Sequence, residues 1–344
     1  MQEYINKIKE IVCDYHRPLT DESILSWINQ FDESDREFLL KEVVNILEKS
    51  YLSENKAKLI IKYFIEQSSK TYGFSSERTF LENVTFLKCQ DDIKSQTILI
   101  NILRDFSKIS YDVEISINNL EKKYWIYLDD NLSTGGTFEK NIDNILQNYD
   151  KEIFINNDKK ILNWFFYIHD WGYKNKSFIL ITKYPYLKGN LLFSYIHLIQ
   201  NNPKINYYNP SPKFNNAYIK DEGNMRVHNY LNNLALNRNY SMTNREHAFR
   251  PINLPKLETF FSSAEARDRY EKIILNKGLD IIDRTNNSSN STRPLGFTSP
   301  SHQTLGLGSH VFTWRNTSNT CPIVYWWEGN GWHPLLPVQN RGQN

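Results

Sequence analysis

Apolar residues recur at helical spacing through the first part of the chain. "DESILSWINQF" (21–31) follows Thr20 and sets Ile24, Trp27, Ile28 and Phe31 at i, i+3, i+4 and i+7. "SDREFLLKEVVNILEKSYL" (34–52) opens on Ser34 and Asp35 as caps and repeats the stripe at Phe38, Leu39, Val43 and Ile46; "SENKAKLIIKYFIEQ" (53–67) does so again. The spacing predicts three amphipathic helices on short turns, an all-α lobe over 1–75.

From about residue 80 the rhythm changes. "NVTFLK" (83–88) reads as a short strand, "SQTILINILRDF" (95–106) as a helix and "YWIYL" (124–128) as the continuous apolar strand of a parallel sheet. "TFEKNIDNILQNY" (137–149) reads as a helix with Ile142, Ile145 and Leu146 inward, and "ILNWFFYIH" (161–169) and "SFILIT" (177–182) as further strands. Alternation of this kind predicts an α/β fold: an open, mainly parallel sheet flanked by helices, with right-handed crossovers. Residues 76–344 are assigned to this domain, with an irregular, turn-rich insertion over about 200–260. "SSAEARDRYEKIILNKG" (262–278) restores a helix, with Ser262 and Glu265 as a capping box and Gly278 at its C-terminal stop. A polar loop, "RTNNSSNSTR" (284–293), leads into a glycine- and aromatic-rich tail over 305–336.

Charge and cysteine content narrow the picture without adding chemistry. A net charge of +2 over 344 residues is too balanced to mark a nucleic-acid binder, and runs such as "KNKSFILITK" (174–183) read as solvated edges. Cys13, Cys89 and Cys321 are odd in number and far apart, so they suggest neither a disulfide framework nor a metal site. The N-terminal stretch lacks the apolar core of a signal peptide, and no apolar run reaches the ~18 residues of a membrane span. The expectation is a cytoplasmic protein with no membrane contact.

The chemistry concentrates in "WIYLDDNLSTGGTF" (125–138). A parallel strand ending in Asp129 and Asp130 delivers both carboxylates to the carboxyl edge of the sheet, where α/β folds bind ligands. Ser133, Thr134, Gly135, Gly136 and Thr137 then open a helix, and their amides and hydroxyls make an anion cradle. Glycines let the backbone wrap closely around a phosphate. Acids beside a phosphate would repel it unless the ligand places hydroxyls or a divalent cation between them, as a 5-phosphorylated ribose does.

Four apolar residues, two acids, two variable residues and Ser-Thr-Gly-Gly-Thr resemble the phosphoribosyl-pyrophosphate motif of type I phosphoribosyltransferases, nearest to its adenine-specific variant. The resemblance implies that Asp129 and Asp130 bind ribose and act in catalysis, and that residues 133–137 bind the 5-phosphate. It implies Mg²⁺ carried through pyrophosphate and ribose hydroxyls, with no metal ligand directly assigned. Ser133 stands where hypoxanthine-type enzymes carry an acidic general base, so base protonation from this position is not expected. The pyrophosphate loop is expected in "KCQDDIKSQT" (88–97), with Lys88, Lys94 and Ser95 as its ligands.

The tail "RPLGF…TLGLGSHVFTWRNTSNTCPIVYWWEGNGWHPL" (293–335) is similar to the end of a bacterial phosphoribosyltransferase-like family of conflict systems, some retron operons included. That similarity implies an antiphage toxin effector whose partner is a reverse transcriptase with its non-coding RNA–DNA, or another defence protein. A hood over 290–340, with Arg315, Asn316 and Asn319, is expected to close over the base or acceptor; Trp314, Trp326, Trp327 and Trp332 read mainly as core. The alternatives are a non-catalytic nucleotide-sensing or partner-binding subunit and a salvage glycosyltransferase. Hydrolase triads find no support: His169 and Asp170, read as neighbours on a strand, point to opposite faces.

Overall fold

The computed structural model describes residues 1–91, 94–236, 245–285 and 289–339. Asp92 and Ile93 of the expected pyrophosphate loop, and 286–288 of the polar loop, lie outside the described residues. The chain forms two compact units, Met1–Ser53 with Ile199–Asn344, and Glu54–Leu198.

The first unit begins with α1 (Gln2–Ile11), α2 (Asp21–Ile28), α3 (Glu33–Ser50) and the two-residue strand β1 (Tyr51–Leu52). Thr20 and Ser23 form a reciprocal cap on α2, and Ile24, Trp27 and Ile28 are fully buried, as the stripe predicts. The chain then enters the second unit through α4 (Glu54–Thr71), α5 (Glu77–Asn83), β2 (Val84–Phe86), α6 (Ser95–Tyr111), β3 (Ser116–Ile117), β4 (Tyr124–Leu132), α7 (Gly136–Gln147), α8 (Lys151–Asn156), β5 (Lys160–His169), α9 (Asp170–Lys183) and β6 (Leu191–Ile199). The rest of the first unit contains α10 (Met225–Leu236), α11 (Ala264–Arg284), β7 (Phe312–Thr313) and β8 (Asn316–Thr317).

The sheet of the second unit runs β3-β2-β4-β5-β6, and β2 with β3, β2 with β4 and β4 with β5 pair in parallel. The expected α/β fold, a mainly parallel sheet flanked by helices, is the one observed. Period-2 alternation explains its two covered faces. Trp164 of β5 stacks on Phe64 of α4 and Phe80 of α5, with ring centroids 5.4 and 6.2 Å apart. Its neighbour Phe165 points the other way, to Phe138 of α7 at 5.8 Å, in a cluster with Trp125, Tyr127, Ile142 and Leu146.

Several sequence expectations need correction. The helix over 53–67, read as part of one N-terminal lobe with 21–31 and 34–52, is α4 and belongs to the sheet unit instead. Its buried residues Ala57, Ile61, Phe64 and Ile65 make the same stripe that α2 and α3 show, so periodicity alone does not separate them. "SFILIT" is not a strand but the end of α9: Leu180 is 1% exposed while Phe178 is 71% exposed, a one-sided pattern. His169 and Asp170 do not share a strand. His169 ends β5 and caps α9, its Nδ1 accepting from the Gly172 amide at 3.3 Å, while Asp170 opens the helix and pairs with Lys174 at 2.7 Å.

In the first unit α11 runs past Gly278 to Arg284. Gly278 does not stop the helix; it admits a neighbour, since a Cβ there would lie 2.7 Å from the Pro294 carbonyl oxygen. Ser263, not Ser262, caps α11 by accepting from the Ala266 amide at 3.0 Å, while Ser262 donates to Glu42. Ser263→Ala is expected to lower the stability of this unit by about 1 kcal/mol in urea unfolding. The tail is core: Trp314, Trp326 and Trp332 are buried, and the last two donate their indole N–H to the carbonyls of Cys321 and Val324. No described helix is long and apolar enough to cross a membrane.

Candidate functional site

The carboxyl end of β4 carries the acids predicted for it. Trp125 through Leu128 are fully buried in the middle of the sheet, and the strand runs past the acids to Leu132, so Asp129 and Asp130 lie near its carboxyl end rather than closing it. Asp129 is buried; Asp130 is half-buried. The Asp129 carboxylate is held by three donors: Ser95 Oγ to Oδ1 at 2.6 Å, the Asp130 amide to Oδ1 at 2.9 Å, and Gln90 Nε2 to Oδ2 at 2.9 Å. Burial, followed by the charge of Asp130, nevertheless pushes the Asp129 carboxyl up to about 7, so desolvation outweighs the hydrogen bonds.

The loop after β2 supplies Gln90, the first residue of α6 supplies Ser95, and the third donor is the strand's own Asp130 amide. Gln90 Nε2 also reaches the Tyr127 hydroxyl at 3.3 Å, to which Asn141 of α7 donates at 3.1 Å. Thr97 Oγ1 donates to the Gln90 carbonyl at 3.0 Å, and the Cys89 amide donates to Gln96 Oε1 at 2.7 Å. The Cys89 thiol is pushed up to about 12 by burial and by Asp129, so it is no nucleophile at neutral pH. Of the residues expected to bind pyrophosphate, Ser95 is joined to Asp129 directly. Lys88 is bound through its backbone to the Asn118 amide side chain, at 2.8 and 3.1 Å, and exposed Lys94 precedes α6 with no side-chain cap.

Residues 133–135 turn from the end of β4 into α7, whose first residues are Gly136 and Thr137. Asn131 Nδ2 donates to Ser133 Oγ at 2.8 Å, while Thr134, Gly136 and Thr137 are exposed. The two glycines differ. Gly135 is the N-cap of α7 with φ 73°, a left-handed backbone that favours glycine; Gly136 needs no such freedom and has open space where a Cβ would stand. The first-turn amides of α7 receive no side-chain cap from Gly135.

Three features of this site are invisible in local sequence patterns. Gln90 and Asn141 converge on Tyr127 and Asp129 from two other elements. Gly172 of α9 lies so close to the Ser133 carbonyl that any Cβ would collide with it. Lys176 of α9 lays its methylenes over Gly135, with Cγ 2.5 Å from the Cβ position, and pairs with Glu139 of α7 at 2.6 Å.

The expected hood residues belong to the other unit and are described within it. Arg315 sits in the turn between β7 and β8, Asn316 Nδ2 donates to the Gln339 carbonyl at 3.1 Å, and the Asn319 carbonyl accepts from the Phe297 amide at 2.8 Å.

The family model PRTase-CE matches residues 24–338, nearly the whole chain. No curated protein matches it.

Proposed function

The chain belongs to the PRTase-CE family and is a phosphoribosyltransferase-like protein, and from that premise we propose that it binds phosphoribosyl pyrophosphate or a related ribose 5-phosphate nucleotide and transfers or hydrolyses at ribose C1. One observation supports this most: a central parallel strand carries Asp129 and Asp130 near its carboxyl end at Leu132, and a short turn leads from it directly into the N-terminus of α7 at Gly136. The acids take the ribose hydroxyls and the cation-like charge that develops at C1. The amides of the turn, with Ser133, Thr134 and Thr137, take the 5-phosphate.

The residues fit a Mg²⁺ that arrives with the ligand. Asp129 and Asp130 offer carboxylate oxygens, and no cluster of three or more His, Cys, Asp or Glu among the described residues could hold a metal alone. When bound, such an ion offsets charge on the departing pyrophosphate. Ser133 offers no general base, so the acceptor brings its own nucleophile or is water. The wider reading is a cytoplasmic antiphage effector restrained by a defence partner such as a reverse transcriptase complex. A non-catalytic nucleotide sensor is the second reading, and the engagement of the Ser95 hydroxyl by Asp129 favours it, because that hydroxyl is then not open to pyrophosphate.

Calorimetry with ribose 5-phosphate and with phosphoribosyl pyrophosphate tests the site, and release of labelled pyrophosphate separates enzyme from sensor. Binding of both, lost in the Asp129→Asn/Asp130→Asn double variant, is the expected result. Absence of binding by the intact chain would overturn the reading. Growth arrest on expression without a partner, absent in the same variant, is expected of an effector; rescue of a purine or pyrimidine auxotroph would instead mark a salvage enzyme.

A further inference from the structure

We infer that Lys176 is a ligand of the phosphate turn, held in reserve by Glu139, which competes with the phosphate for its ammonium group. The inference rests on the proposed reading of residues 133–137 as a phosphate site. Lys176 reaches this turn from α9: its methylenes cover Gly135, the residue that starts α7, and its ammonium meets Glu139 in the first turn of α7 at 2.6 Å. Both side chains are partly buried, 20% and 29% exposed, which holds them more firmly than a pair on long, fully solvated side chains.

Their placement favours exchange over bracing. Glu139 lies in the first helical turn, where an acid is stabilised by the uncapped amides. A phosphate bound by those amides would bring up to two negative charges beside Glu139, and the resulting repulsion is relieved if Lys176 turns to the phosphate. The ammonium then neutralises a ligand charge that the turn meets otherwise only with amides and hydroxyls. A second ion pair joins the same two helices, Lys183 with Asp143 at 2.6 Å, one turn further along α7 and supported by the Tyr184 hydroxyl at 2.8 Å. It braces α7 against α9 without belonging to the phosphate turn, and so provides an internal control.

The two roles predict different signs. A competitor and a ligand respond oppositely: Lys176→Met is expected to weaken ribose 5-phosphate binding about tenfold, while Glu139→Gln strengthens it a few-fold. Lys176→Arg should retain most of the affinity. Asp143→Asn and Lys183→Met should leave it within twofold while lowering the melting temperature. Calorimetry of the full chain with ribose 5-phosphate, inorganic phosphate and unphosphorylated ribose reads each variant, and the Lys176→Met loss should appear with the two phosphates and not with ribose. If the intact chain binds neither phosphate compound, the phosphate reading of 133–137 fails and this inference with it. If it binds them and Lys176→Met changes nothing, or if Glu139→Gln and Lys176→Met both weaken binding, only the inference falls and the pair is a brace. Should Lys176→Met fail to fold, Lys176→Gln and the Glu139→Gln increase carry the same decision.

Discussion

Asp129→Asn is expected to abolish ribose 5-phosphate binding and at the same time to make the folded chain more stable at neutral pH. The loss follows from the ribose-binding role proposed for this carboxylate, and should exceed a hundredfold in calorimetry. The gain follows from the environment. Asp129 is buried beside Asp130, and its carboxyl is raised from the usual 3.8 to about 7. A shift of that size corresponds to ~4 kcal/mol at most. Asparagine keeps the acceptor for Ser95 and for the Asp130 amide, and Gln90 need only turn its own amide to face the new NH₂ group. A net gain of about 1–2 kcal/mol is therefore expected.

The same residue sets a pH dependence. The folded state holds the Asp129 proton more tightly than the unfolded chain, so its contribution is fully present below about pH 4 and is lost as pH rises through about 7. Melting temperature should decline across that window in the parent chain more steeply than in Asp129→Asn. Parallel curves for the two proteins would mean that Asp129 is already ionised at low pH in the fold.

The strand exit was legible because its signals are local. An uninterrupted apolar run, two acids and a double glycine lie within one stretch of chain, and the structure places them at the end of a central strand. β5 was legible for the same reason, with nine consecutive residues buried from Ile161 to His169. "SFILIT" misled because a short run of Ile, Leu and Phe fits strand and helix alike, and the deciding contact is the His169 ring on the Gly172 amide. α4 misled because its stripe matches that of its neighbours; what assigns it to the sheet is Trp164, a hundred positions away from Phe64. Gln90, Asn141, Lys176 and Gly172 come from two helices and a loop, and only the crossover connections bring them to Asp129 and Gly135.

Gly172→Ala tests the least legible of these contacts and should cost nearly as much binding as loss of an acid. Gly172 lies in the first turn of α9, pinned by the bond from its amide to His169 Nδ1, so the helix cannot easily withdraw. The atom that a new methyl group would strike is the Ser133 carbonyl oxygen, part of the backbone rather than the free end of a side chain. Relief must come from moving the turn itself. A displacement of several tenths of an ångström at Ser133 propagates to Gly135, which is confined by the Lys176 and Leu132 side chains packed over it, and then to the first amides of α7. Overpacking of this kind costs about 1–3 kcal/mol of stability. Its larger effect falls on the alignment of amides with a phosphate, where we expect a loss of about a hundredfold in ribose 5-phosphate affinity. Trp171→Ala, one residue earlier and exposed, removes far more side chain and should leave affinity unchanged. If Gly172→Ala binds as tightly as the parent while Trp171→Ala does not, α9 acts on the site through its exposed face and the close contact at Ser133 is incidental.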